Sequence, residues 1–164
     1  MSSIDFFSDT YKKEEPRTDK LFGISDNGLL AYSTNNLDDC GVLVNNPEAR
    51  VVQCTPVDHN IVAQENGDEV SQCDAMLTVE VNKEIDFIEL KKTRDSWIPE
   101  VVQQLKSTIL LFTANHDINQ FQEKRAYGIN KKHPQFHFSC KDTMKKFRNE
   151  TKFRLHLGGH IHIK

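Results

Sequence analysis

Residues 73–81, Cys73-Asp74-Ala75-Met76-Leu77-Thr78-Val79-Glu80-Val81, and residues 85–91, Ile85-Asp86-Phe87-Ile88-Glu89-Leu90-Lys91, decide the fold class of this chain. In the first segment every odd position is apolar, while the even positions carry Asp74, Met76, Thr78 and Glu80. Such period-two alternation marks a strand, because successive side chains leave opposite faces. The second segment is rich in β-branched and aromatic residues and follows the polar Asn82-Lys83-Glu84, which reads as a turn. The two predict an antiparallel hairpin. A loop centred on Asn82 and Lys83 sets Asp74 opposite Lys91 and Met76 opposite Glu89. Alternation then brings Asp74, Glu89 and Lys91 to one face, with Leu90 turned away and its carbonyl at the same edge.

The strongest helical pattern follows. Trp97, Ile98, Val101, Val102, Leu105, Ile109 and Phe112 fall on one face at helical spacing. Asp95 or Ser96 can cap this helix, Pro99 sits in its first turn where a missing N–H costs nothing, and it ends near Asn115. Trp97 reads as core. Residues 125–130 predict a strand and 140–150 a short basic helix. Residues 153–163 alternate Phe153, Leu155, Leu157, Ile161 and Ile163 against Arg154, His156, His160 and His162. The phase persists across Gly158-Gly159, and a hairpin there would mix the faces, so one continuous or bulged strand is expected. Upstream, short apolar segments at 21–24, 29–32, 41–44 and 51–54 are separated by Asn, Asp, Gly and Pro, a pattern of strands and turns. Residues 1–20 are polar, with Phe6 and Phe7 as anchors of a docking helix or a frayed end.

The 164 residues suit a single domain able to bury a core. Its parts would be the arm at 1–20, the hairpin-and-helix core at 50–115 and a basic part at 116–164 that closes the sheet. The first thirteen residues lack the apolar run of a signal peptide. The longest apolar run, residues 109–112, is far too short to span a bilayer. A cytoplasmic protein is expected. Cys40, Cys54, Cys73 and Cys140 are scattered without a CxxC or CxxH pair, which favours reduced thiols over a zinc site. The net charge of −3 hides an asymmetry: 6 Lys/Arg against 18 Asp/Glu in residues 1–90, and 15 against 6 in 91–164. Such a basic half can serve a polyanion, or it can be one of two solvated faces.

Two carboxylates and a lysine on one face are what a hard divalent cation and a phosphodiester require. Magnesium takes oxygen ligands, one or two of them carboxylates, and a nearby lysine adds charge and a donor. The structural readings are that Asp74 and Glu89 pair with lysines across strands, Lys91 and Lys92 end a strand in solvent, and Gln104 is an exposed helix residue. Against the first stands the rarity of a carboxylate inside an apolar run such as 85–90.

Asp74, the intervening gap, then Phe87-Ile88-Glu89-Leu90-Lys91 resembles the D…ExK signature of the PD-(D/E)xK, restriction-endonuclease-like nucleases. Gln104-Leu105 resembles the "QL" helix of some of its branches. The position before Asp74, usually proline in that group, is Cys73. The resemblance implies an α/β three-layer sandwich with a mixed central β-sheet flanked by helices. It also implies hydrolysis of phosphodiester bonds, in DNA rather than RNA, with Mg2+ or Mn2+ as cofactor. Asp74, Glu89 and the Leu90 carbonyl would hold metal, Lys91 would orient water, and Gln104 would support the site. An upstream acid would come from Asp58, with Glu65 and Glu48 behind it. Lys124, Arg125, Lys131, Lys132, Lys145, Lys146 and Arg148 would grip phosphates, with a homo-oligomer or partner protein completing the surface. The row Arg154, His156, His160 and His162 can grip phosphates or a transition metal, or form the wet face of an edge strand. The rival function is a non-catalytic, immunity-type interaction module of the same fold.

Overall fold

The predicted hairpin is the centre of the molecule. The computed structural model describes residues 3–61, 64–65, 68–92, 97–131 and 140–164. In chain order the elements are β1 (Leu21–Asp26), β2 (Ala31–Thr34), β3 (Val42–Asn45), β4 (Val52–Pro56), β5 (Gln64–Glu65), β6 (Asp68–Glu69), β7 (Ala75–Val79) and β8 (Glu84–Lys91). There follow α1 (Trp97–Asn115), β9 (Glu123–Asn130), α2 (Lys141–Thr151), β10 (Arg154–Leu157) and β11 (Ile161–His162). A five-stranded mixed sheet has the order β10-β9-β8-β7-β4, and a second sheet has the order β11-β3-β1-β2. β7 pairs antiparallel with both β4 and β8, whereas β9 lies parallel to β8 and to β10. Parallel neighbours need a crossover, and α1 supplies the one between β8 and β9.

Alternation along β8 sorts its side chains between two cores. Ile85 and Phe87 pack with Trp97, Val101, Leu105, Ile109 and Phe112 of α1 and Phe147 of α2. Ile88 and Leu90 pack instead with Phe22, Ile24, Val42, Val44 and Ile161 of the second sheet. The α/β class and the mixed central sheet agree with expectation. The layering differs on one face: among the described residues the helices cover one side, and a four-stranded sheet covers the other. The short apolar segments of the first half are too brief for helices and solve their burial by pairing with one another. No helix among the described residues is long and apolar enough to cross a membrane.

Three expectations are corrected. Met76 pairs with Phe87 rather than Glu89, because the turn occupies Glu80, Val81, Asn82 and Lys83, with Val79 opposite Glu84 as the last pair. Lys83 adopts φ 50° and Val81, which extends the alternation in sequence, sits 74% exposed on the turn. The register is thus displaced by two residues, a shift that leaves every side chain on its expected face. The closing segment is not one strand. Gly158 and Gly159, at φ 84° and 79°, turn the chain from β10, parallel to β9, to β11, parallel to β3 in the other sheet. Alternation survives the break because each half has its own core. The arm before β1 is neither a helix nor a frayed end. Phe6 is fully buried with its ring 5.1 Å from that of Phe112, and Arg17 and Val52 exchange backbone hydrogen bonds of 2.9 Å.

Candidate metal centre at the end of β8

β7 bends at Asp74, one residue before its first paired position, and the carboxylate there replaces the strand. The Asp74 N–H donates to the Ile88 carbonyl at 3.0 Å, and Asp74 Oδ2 accepts the Leu90 N–H at 2.7 Å. The N–H and C=O of one strand residue point to the same neighbour, so the Leu90 carbonyl is directed to the Asp74 side as well. Burial raises the Asp74 pKa, although the Leu90 N–H opposes that rise. Like charge from Asp26 and Asp58 adds to it.

Glu89 is 2% exposed, with Oε2 3.4 Å from Lys91 Nζ and Oε1 buried without a hydrogen-bond partner among the described residues. Burial first, and then the Asp74 carboxylate, push its pKa up to about 9. Burial beside a second carboxylate thus favours the protonated form of Glu89. A divalent cation can neutralise the pair in that proton's place. The donors are all hard oxygens, two carboxyl groups and the Leu90 carbonyl, which suits Mg2+ or Mn2+ better than a softer metal. Among the described residues no cluster of three or more His, Cys, Asp or Glu side chains forms. Water and substrate oxygens would have to complete the shell.

Lys91 Nζ lies 2.7 Å from Glu100 Oε1 on α1. Burial by itself would lower the Lys91 pKa, but Glu100 and Glu89 outweigh it and hold the ammonium charged. Lys91 can therefore orient water and offset negative charge; it is poorly suited to accept a proton. Gln104 stands one turn beyond Glu100, half-buried, with Oε1 buried and unpartnered among the described residues. α1 is fixed here by Thr108, whose Oγ1 accepts the Cys73 N–H at 2.8 Å and donates to the Gln104 carbonyl at 2.9 Å. Gly128, paired with Glu89, lets the helix approach: a Cβ there would lie 2.4 Å from Val101 Cγ1.

The structure gathers Asp74, Glu89, Leu90, Lys91 and Gln104 around one end of β8. Asp58 lies beside the bend, its N–H donating to the Cys73 carbonyl at 3.1 Å; its half-buried carboxylate is 3.4 Å from His59 and acts on Asp74 as like charge. Asp26, at the end of β1, acts on Asp74 more strongly than Asp58 does and was not singled out by the sequence. Glu100 was missed too, although it lies one helical turn before Gln104. The Asp95 and Ser96 caps and Lys132 lie outside the described residues.

The described basic candidates fall at different places on the fold. Lys131 pairs with Asp39 at 2.9 Å and lines a small cleft beside Cys40 and Gly41. Lys145 is exposed on α2, and Lys146, also exposed, is 3.9 Å from Glu150. Lys124, Arg125 and Arg148 line another cleft at the far end of β9. Lys124 donates to the Phe121 carbonyl at 2.9 Å, and Arg125 donates to the His162 carbonyl at 2.6 Å and the Tyr127 hydroxyl at 3.1 Å. The chain matches no family model, no curated protein and no solved structure.

Proposed function

We propose that the chain is a Mg2+- or Mn2+-dependent nuclease that hydrolyses phosphodiester bonds in DNA, with a restriction-endonuclease-like central sheet. The observation that carries this reading is the buried Glu89, its pKa raised by burial and by the neighbouring Asp74, with one oxygen unpartnered among the described residues and the other beside a charged lysine. Acids held together against desolvation and mutual repulsion, with perturbed pKa values, are concentrated at functional sites. Asp74, Glu89 and the Leu90 carbonyl hold the metal. A bound Mg2+ or Mn2+ activates water and neutralises charge on the phosphodiester. Lys91, kept charged by Glu100, orients that water and offsets charge as it develops on phosphate oxygens. Gln104 supports the same space from α1. The free, buried Cys40, Cys54 and Cys73 support a reducing, cytoplasmic setting.

Incubation with plasmid and short duplexes, with Mn2+ or Mg2+ and with chelator, tests the proposal. Cleavage that needs the metal and disappears in Asp74→Asn supports it. Binding of DNA without cleavage under any metal favours the non-catalytic module instead.

A further inference from the structure

A second site is built at the opposite end of the central sheet. A cleft of about 710 Å³ opens at the starts of β9 and β10, beneath the C-terminal end of α2. Arg125 in this cleft pairs with Asp86, three positions before Glu89, so the cleft lies roughly 10 Å along the strands from the acid pair.

Its lining is strongly cationic: Arg125, Arg148, Lys152, Arg154 and Lys164 contribute, against Glu123 as the one acid among the described lining residues, with the buried Glu84 3.6 Å behind Arg125. Glu123 is already paired with Lys164 at 2.8 Å and with Arg125 at 3.5 Å. The exposed Arg148, Lys152 and Arg154 form no salt bridge within 4.0 Å among the described residues. The partial negative charge at the end of α2 offsets only about half of one such charge.

At the wall stands His156, its ring stacked on Tyr127 with centroids 4.9 Å apart and its Nε2 buried without a partner. Burial, and after it the charges of Arg125 and Arg154, hold its pKa below the usual histidine value.

We propose that this cleft is an anion-binding site for a phosphate-bearing ligand, separate from the acid pair. Three unneutralised cations match the several oxygens of a phosphate group, and the neighbouring His156 ring is placed to report its arrival. The volume admits a chain of phosphates or a phosphorylated strand end rather than one small ion alone. The cleft shares Arg125 and Arg148 with the phosphate contacts expected of a nuclease, but none of its lining belongs to the metal centre, so its binding can be measured apart from cleavage.

The test is calorimetric titration of the full chain with inorganic pyrophosphate at low ionic strength, with the His156 imidazole signals followed by NMR. Wild type should bind, and the His156 signals should shift. Arg148→Ala with Arg154→Ala, both at exposed positions, should weaken binding about tenfold or more. Glu123→Gln should tighten it by releasing Lys164 and removing the lining's negative charge, a gain that misfolding cannot imitate. Asp74→Asn should leave it unchanged. Competition then identifies the source of the phosphate. Displacement by a 5′-phosphorylated oligonucleotide but not its unphosphorylated twin assigns a strand end. Equal displacement assigns the strand backbone, and no displacement assigns a free polyphosphate. All three uphold the site. No pyrophosphate binding by wild type, or equal binding by the double variant, overturns it.

Discussion

The Asp74 carboxylate accepts the Leu90 N–H at 2.7 Å, where β7 bends away and no longer faces β8. One side chain thus closes a sheet ladder and presents an oxygen to the candidate metal centre. The two roles separate by substitution. Asp74→Asn keeps an acceptor for Leu90 and should melt in urea at or above the wild-type midpoint. Asp74→Ala leaves a buried N–H unsatisfied and should cost about 1–3 kcal/mol. Both should lose metal-dependent cleavage.

Glu89 makes the metal-free protein sensitive to base. Its pKa is raised from 4.5 to about 9, so the folded chain holds a proton that the unfolded chain has released across that window. Stability should therefore be greatest below pH 4.5 as far as this group is concerned, and fall as pH rises toward 9, by at most about 1.4 kcal/mol per pH unit. Asp74, also raised, acts in the same sense. Glu89→Gln should flatten the dependence and stabilise the protein at neutral and alkaline pH. Urea titrations across the window check both; an unchanged slope in the variant would place the coupling elsewhere.

Gly128 sets the distance between α1 and the sheet. A methyl group there meets Val101 at 2.4 Å and Leu157 at 3.0 Å, so Gly128→Ala should cost on the order of 1–3 kcal/mol. Because Glu100 and Gln104 ride on α1, cleavage should fall even at temperatures where the variant remains folded. Circular dichroism melts and cleavage assays on the same sample separate the two effects.

Lys91 should contribute to turnover more than to stability. Lys91→Met removes a charge held by Glu100 and Glu89 and should reduce cleavage by about a hundredfold or more while Mn2+ still binds. Glu100→Gln, at a largely exposed ion pair, should change stability by less than about 1 kcal/mol. A shift of its pH–rate profile would show that Glu100 positions the lysine.

The acid pair was legible because alternation is insensitive to a two-residue error of register. Placing the turn around Asn82 instead of Val81 exchanged the partners of Met76 yet kept Asp74, Glu89 and Lys91 on one face. The break at Gly158 and Gly159 was hidden by the same regularity, since Leu157 and Ile161 keep phase while facing different cores. The argument that a carboxylate is rare inside an apolar strand, applied to Glu89, holds equally for Asp86. Asp86 lies on the other face of β8, fully buried, with neither oxygen hydrogen-bonded among the described residues. Local periodicity also could not reveal that Asp26, far upstream, would approach Asp74, because that proximity arises from the packing of one sheet on another.

The central claim is that Asp74 and Glu89 hold one divalent cation, and Mn2+ binding at neutral pH tests it most directly. Isothermal titration of wild type, Asp74→Asn and Glu89→Gln, repeated in buffers of different ionisation enthalpy, reports affinity and proton release together. The account predicts a single site in wild type that releases about one proton as Mn2+ displaces it from Glu89, and loss of that site in both variants. Equal binding by all three proteins, or binding by wild type without proton release, would contradict it.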